Sequence, residues 1–99
     1  MAAKRCLPTD LFYNRKFVQL RNDTIRLILI GLILDADDAG RGLADPALLG
    51  RKLDQRSENI QEALEDLEHA GFVESYVRGE ETYYSLCLWS VWQKLGNPR

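Results

Sequence analysis

The sequence predicts a mostly helical α+β domain, with three helices followed by a β-hairpin and a short last helix. Three observations predict it. The run Leu27-Ile-Leu-Ile-Gly-Leu-Ile-Leu34 is apolar almost all round, the mark of a helix buried on most sides. Two later segments keep apolar residues at helical spacing behind capping residues. Beyond Gly71 the apolar period falls to two, the pattern of paired strands.

Residues 1–21 mix Leu7, Leu11, Phe12, Tyr13, Phe17, Val18 and Leu20 with Pro8 and Asn14. A short extended piece is expected near Lys4–Leu7 and one helical turn at Asp10–Tyr13. This arm is too apolar for a free tail and packs on its own domain or on a neighbouring chain. Asn22 or Asp23 is expected to cap the first long helix, Asp23–Asp35. Gly31 leaves room for another element, and Gly40 supplies a turn after Asp35-Ala-Asp-Asp-Ala. Residues 41–44 fit a minimal edge strand. Asp45-Pro46 opens the second helix, which runs to Leu53 with Leu48, Leu49 and Leu53 inward. Ser57 is expected to cap the third, where Ile60, Ala63, Leu64 and Leu67 keep the i, i+3, i+4, i+7 spacing up to Gly71. Strands are expected at 72–77 and 83–88 around a turn at 78–82, then a short helix from Trp89 ended by Gly96-Asn97-Pro98.

Helix, short strand, helix, turn, helix, hairpin is the order of a winged helix-turn-helix. One domain is expected over residues 1–99, with an arm at 1–21, a core at 22–95 and the start of a linker at 96–99. The stop at Asn97-Pro98-Arg99 suits a naturally short protein or an excised front domain.

Composition narrows the function classes. At 45% hydrophobic and 28% charged, the chain is globular rather than disordered. The apolar run is too short to span a bilayer, and Pro8, Asp10 and Asn14 break any signal-like stretch, so a cytoplasmic protein with no membrane partner is expected. Cys6 and Cys87 are expected to be free, buried thiols in a reducing cytosol, with a bridge between them disfavoured. With His69 as the single histidine, neither a zinc site nor a Ser/Cys–His pair can be assembled, and no glycine-rich phosphate loop is present. The acids from Asp35 onward lack the closing Glu of a calcium loop, because Pro46 stands at that position. No enzyme and no cofactor is therefore expected. His69 reads as a surface residue at a helix end.

Net charge is −2, but it is unevenly spread. Residues 1–56 carry ten basic and seven acidic side chains, net +3, and residues 57–99 carry three and eight, net −5. That asymmetry fits a nucleic-acid face opposite a partner face, and equally an ordinary solvated surface. The helix-turn-helix candidate is Asp45–Gly71. The expected nucleic-acid contacts are Arg51, Lys52 and Arg56 on phosphates, Ser57 and Asn59 at the helix start, and Arg78 on the wing, aided by Lys4, Arg5, Arg15 and Lys16 in the arm. Past its first turn the third helix presents Glu62, Glu65, Asp66 and Glu68, which repel phosphate. Either its tip alone touches DNA or the helix is a solvated acidic face. Trp89 and Trp92, with Tyr76, Tyr83 and Tyr84, form a base-stacking platform, close the core or make a protein interface.

The stretches Asn22-Asp-Thr-Ile-Arg26-Leu-Ile-Leu-Ile-Gly31-Leu, Ala36-Asp-Asp-Ala-Gly40-Arg41, Asn59-Ile-Gln-Glu-Ala63-Leu-Glu-Asp-Leu67 and Trp89-x-x-Trp92-Gln93 resemble phage and prophage replication-initiation proteins, the DnaD-like replisome organisers with an N-terminal winged helix. The resemblance covers residues 17–99. It implies a winged helix active in DNA binding and self-association, and it assigns no individual binding residue. The expected function is a non-enzymatic DNA-transaction module of a replication-initiation protein. Its expected partners are double-stranded DNA, replication proteins and further copies of itself, held through the arm or the Trp89/Trp92 face. The alternatives are a protein-interaction and oligomerisation module without direct DNA binding, and a dimeric transcriptional repressor.

Overall fold

The computed structural model describes residues 4–95, so the expected helix stop and linker at 96–99 lie outside the described residues. A 3-10 turn at Leu11–Tyr13 precedes α1 (Arg15–Val18), α2 (Asp23–Asp35), β1 (Arg41–Leu43), α3 (Pro46–Leu53), α4 (Ser57–His69), β2 (Val73–Arg78), β3 (Glu81–Leu86) and α5 (Trp89–Leu95).

Helix α2 is the centre of the core. The Asn22 side chain accepts the Ile25 N–H, and Ile25, Ile28, Leu29, Leu32 and Ile33 are buried. Burial on most sides does not hold for the whole helix, because Leu27 is 57% and Leu34 63% exposed. Helix α4 packs along one side of α2, and the expected close approach at Gly31 is made by Leu53. A Cβ on Gly31 would stand 2.8 Å from the Leu53 side chain. Leu53 thus reaches the edge of this stripe and leaves Leu27 and Leu34 uncovered.

The acids after α2 do more than keep a loop soluble. Asp37 Oδ1 accepts the backbone N–H of Ala39 and of Arg41, building the turn into β1. Asp35 points inward, with a side chain only 9% exposed. Its Oδ2 accepts the Tyr84 hydroxyl at 2.7 Å and its Oδ1 accepts Lys52 Nζ at 2.9 Å. Gly40 has φ +80° and lies under Trp89, where a Cβ would meet the indole Cγ at 2.5 Å.

Asp45 caps α3 by accepting the N–H groups of Ala47 and Leu48, with Pro46 in the first turn, as expected. Leu49 is fully buried, whereas Leu48 and Leu53 are half-buried. Asp54, at φ +56°, ends the helix. Helix α4 differs from expectation at its start. Ser57 is its first helical residue and Arg56 holds the cap position, so no side chain caps the helix. At its end, Phe72 N–H bonds to Leu67 O and Gly71 N–H to Glu68 O, with Gly71 at φ +88°, a Schellman ending.

The sheet is antiparallel in the order β1-β3-β2. Arg78 pairs with Glu81, so the hairpin turn is two residues, Gly79-Glu80, rather than five. The ribbon projects beyond the core, where polar residues pair as readily as apolar ones, and the turn-like composition of 78–82 is that of an exposed strand tip. Strand β3 stops at Leu86 instead of 88, because Cys87 and Leu88 turn into α5. Val73, Tyr84 and Leu86 face the core.

The N-terminal arm packs on its own domain. Leu11, Phe17 and Leu20 belong to the core, and Asn14 caps the unforeseen helix α1 by accepting the Phe17 N–H. The Arg26 guanidinium donates to the carbonyls of Phe17, Val18 and Leu20, which ties the arm to α2. The stretch near Lys4–Leu7 is extended but pairs with no strand. Instead the Gln93 amide accepts the Cys6 N–H and donates to the Cys6 carbonyl. Helix α5 closes the core with Trp89 and Trp92, and Trp89 Nε1 donates to the Asp38 carbonyl. Both cysteines are free thiols, Cys6 half-buried and Cys87 exposed rather than buried. No helix among the described residues is long and apolar enough to cross a membrane.

Candidate nucleic-acid interface

The α3–α4 turn brings most of the expected contact residues together. Arg51 leaves the last turn of α3 into solvent and makes no ion pair among the described residues. Arg56 is 77% exposed, with its Nη2 3.8 Å from Glu58 Oε2. Ser57 is exposed and Asn59 half-buried, both in the first turn of α4. Since no side chain caps α4, the first-turn N–H groups have no side-chain acceptor, and the positive end of the helix dipole is open. Lys52 is held differently, its charge matched by the nearly buried Asp35.

Beyond the tip the helix is acidic, as the sequence indicated. Glu58, Gln61, Glu62 and Glu65 line a groove with Pro46 and Ser57. Gln61 Nε2 donates to Glu65 at 2.9 Å. Glu62 and Asp66 are bridged by Arg21, 3.3 and 2.8 Å away, and that contact with Asp66 raises the Arg21 pKa above its ordinary value. Arg21 was not singled out in the sequence, because its acidic partners lie more than 40 positions away and only packing of the arm against α4 brings them together.

The basic residues of the arm separate. Lys4, Arg15 and Lys16 are exposed, and the last two line a cleft with Gly71, Phe72 and Leu88. Arg5 is packed inward and is not a solvent-facing contact. Its Nη2 donates to the Ala36 carbonyl and to Asp38, and its guanidinium lies 5.1 Å above the Trp89 ring. A guanidinium can satisfy several acceptors while stacking on an indole, which is why an arm arginine can be drawn into the core edge.

Arg78 lies at the end of β2 on the outer face of the sheet. It lines a cleft with Asp37, Arg41, Gly42, Tyr76 and Tyr83. The tyrosines divide between the two faces. Tyr76 and Tyr83 pair across the strands with rings 5.5 Å apart and nearly parallel. Tyr84 points inward, and burial together with Asp35 holds its hydroxyl far above the ordinary phenol range. The two Trp residues are core residues and take no part in a surface platform. Arg41, in the edge strand, shares the outer face with Arg78: its partner on β3 is Ser85 and that of Arg78 is Glu81, and the two side chains line one cleft. His69 is exposed at the end of α4, as expected. Burial, reinforced by Glu74, raises the Cys87 thiol above its usual pKa, which disfavours the nucleophilic thiolate. Among the described residues no group of three or more His, Cys, Asp or Glu is placed to hold a metal.

Compared with known proteins, the chain matches no protein-family model and no curated protein sequence.

Proposed function

We propose that this chain is a winged helix-turn-helix module of a replication-initiation protein, and that it contacts double-stranded DNA through the α3–α4 tip rather than along α4. One observation carries the reading: Arg51 and Arg56 flank a helix N-terminus that no side chain caps. Phosphate is recognised by that combination of free N–H groups, a positive dipole end and exposed guanidinium groups. Ser57 and Asn59 in the same turn are suited to phosphate and base edges. The element order and the β1–β3 pairing support a winged helix. Glu62 and Glu65 past the first turn restrict contact to the tip, and Glu58 within it, 3.8 Å from Arg56, implies weak binding that relies on few phosphates.

The test is fluorescence anisotropy with a labelled random-sequence duplex at several salt concentrations. Binding should weaken with salt, and Arg51→Ala with Arg56→Ala should flatten the log–log slope by about 2. Absence of binding at low salt, or an unchanged slope in the double variant, refutes the reading.

A second reading, an interaction and self-association module, is favoured by the apolar residues left in solvent. Leu27 and Leu34 on α2, and Phe12 and Tyr13 in the arm, are more than half exposed. A mass that rises with concentration, together with no DNA binding, would support it in place of the first.

A further inference from the structure

The outer face of the sheet carries a feature that the α3–α4 tip does not use. Strand register puts Arg41, Tyr76, Arg78 and Tyr83 on the face opposite Tyr84 and Leu86, since side chains alternate along each strand. Tyr76 and Tyr83 stack on each other at an interplanar angle of 16°. The cleft over them, about 230 Å³, is bounded by Arg41 and Arg78, with Asp37 and Gly42 completing its wall. Neither guanidinium makes an ion pair among the described residues, although Glu81 is the cross-strand partner of Arg78. The one carboxylate in the lining, Asp37, already accepts two backbone N–H groups through Oδ1.

Two guanidinium groups without an ion pair beside a preformed aromatic surface make an unusual combination. Arginine forks recognise phosphate, and tyrosine rings recognise the π-face of a base with little regard to its identity. A duplex hides its base faces in the stack, so only unpaired nucleotides present both features together. We propose that the outer face of the sheet binds single-stranded nucleic acid, with a base stacked on the Tyr76/Tyr83 surface and flanking phosphates held by Arg41 and Arg78. The site shares no residue with the α3–α4 tip and stands or falls separately from it. The pairing of Tyr76 with Tyr83 orders both rings before a base arrives, which lowers the entropy cost of stacking.

The experiment is anisotropy of a labelled thymidine oligonucleotide, about 12 nucleotides long, with the whole chain at low salt. The Arg41→Gln/Arg78→Gln variant should bind more weakly and show a salt slope flatter by about 1.4, since single strands lose roughly 0.7 per phosphate contact. Tyr83→Ala should weaken binding by about 5-fold or more, the fold-change for one lost base stack. An oligonucleotide of the same length with abasic sites should lose the same factor against the native chain and be insensitive to Tyr83→Ala. If Tyr83→Ala disturbs the hairpin, as far-UV circular dichroism would reveal, the surface arginine pair and the abasic strand still decide. No binding at low salt, or equal binding by wild type and both variants, overturns the proposal. Competition by thymidine monophosphate at the same concentration as the strand also overturns it, and assigns a nucleotide site instead. Because Arg51→Ala/Arg56→Ala leaves this face intact, it should bind the single strand like wild type while binding the duplex more weakly.

Discussion

Removing one oxygen atom tests how the core is specified. Tyr84 is fully buried, and its hydroxyl lies 2.7 Å from Asp35 Oδ2 and 3.0 Å from the Leu32 carbonyl. In Tyr84→Phe the ring still fills its place, so no large cavity opens. The Leu32 carbonyl keeps the Ala36 N–H as a donor. Asp35 keeps Lys52 on Oδ1 but loses the donor to Oδ2, and its side chain is too buried for water to replace that donor freely. A hydrogen bond to a charged group contributes about 1.5–3 kcal/mol. The variant should therefore lose about 2 kcal/mol in urea denaturation, and its Tm should fall by roughly 8–16 °C for a domain of this size. The alkaline limb adds a second readout. Folding raises the Tyr84 pKa above its ordinary value of 10.0, so the contribution is complete below pH 10. Above pH 10 the unfolded chain releases the proton first, and stability falls by about 1.4 kcal/mol per pH unit from this group. Tyr84→Phe should lack that component. A stability within about 0.5 kcal/mol of wild type, with the same alkaline slope, would refute a buried Tyr84–Asp35 bond.

Two further outcomes follow from the packing around Trp89. Gly40→Ala places a Cβ 2.5 Å from the indole at a φ of +80°, so it should cost about 1–3 kcal/mol and shift Trp emission to the red. A variant with unchanged emission and urea midpoint would show that Trp89 does not rest on Gly40. Arg5→Ala removes the bonds to Ala36 and Asp38 and the contact with Trp89, and should cost about 1–2 kcal/mol while duplex affinity stays unchanged. Lost affinity with unaltered stability would return Arg5 to the interface.

The elements themselves were legible in the sequence where the signal is local. Helices α2 and α3 begin and end where Asn22, Asp45-Pro46 and Leu53 place them, and the inward face of α4 follows from Ile60, Ala63, Leu64 and Leu67. A cap, a proline or a helical spacing acts within one turn of chain, so one sequence suffices to see it. The expected Ser57 cap is one residue off: Ser57 is already helical and Arg56, which has no side-chain acceptor, holds the cap position. The hairpin turn was misplaced because Arg78 and Glu81 are as polar as turn residues, and only the pairing register distinguishes a projecting ribbon from a loop.

Tertiary structure decided which side chains remain available for function. The sequence by itself determined that Arg5, Lys52, Arg56 and Arg78 carry positive charge. It did not determine that Asp35 claims Lys52, that Trp89 and Asp38 claim Arg5, or that Arg78 and Arg41 line one cleft. Nor could it separate fully buried Tyr84 from the half-buried stack of Tyr76 and Tyr83 on the outer face, three residues of one type. Charge and aromaticity belong to single residues. Whether a charge is matched or a ring is buried depends on partners tens of positions away, and those are chosen only when α2, the arm and the sheet close around one core.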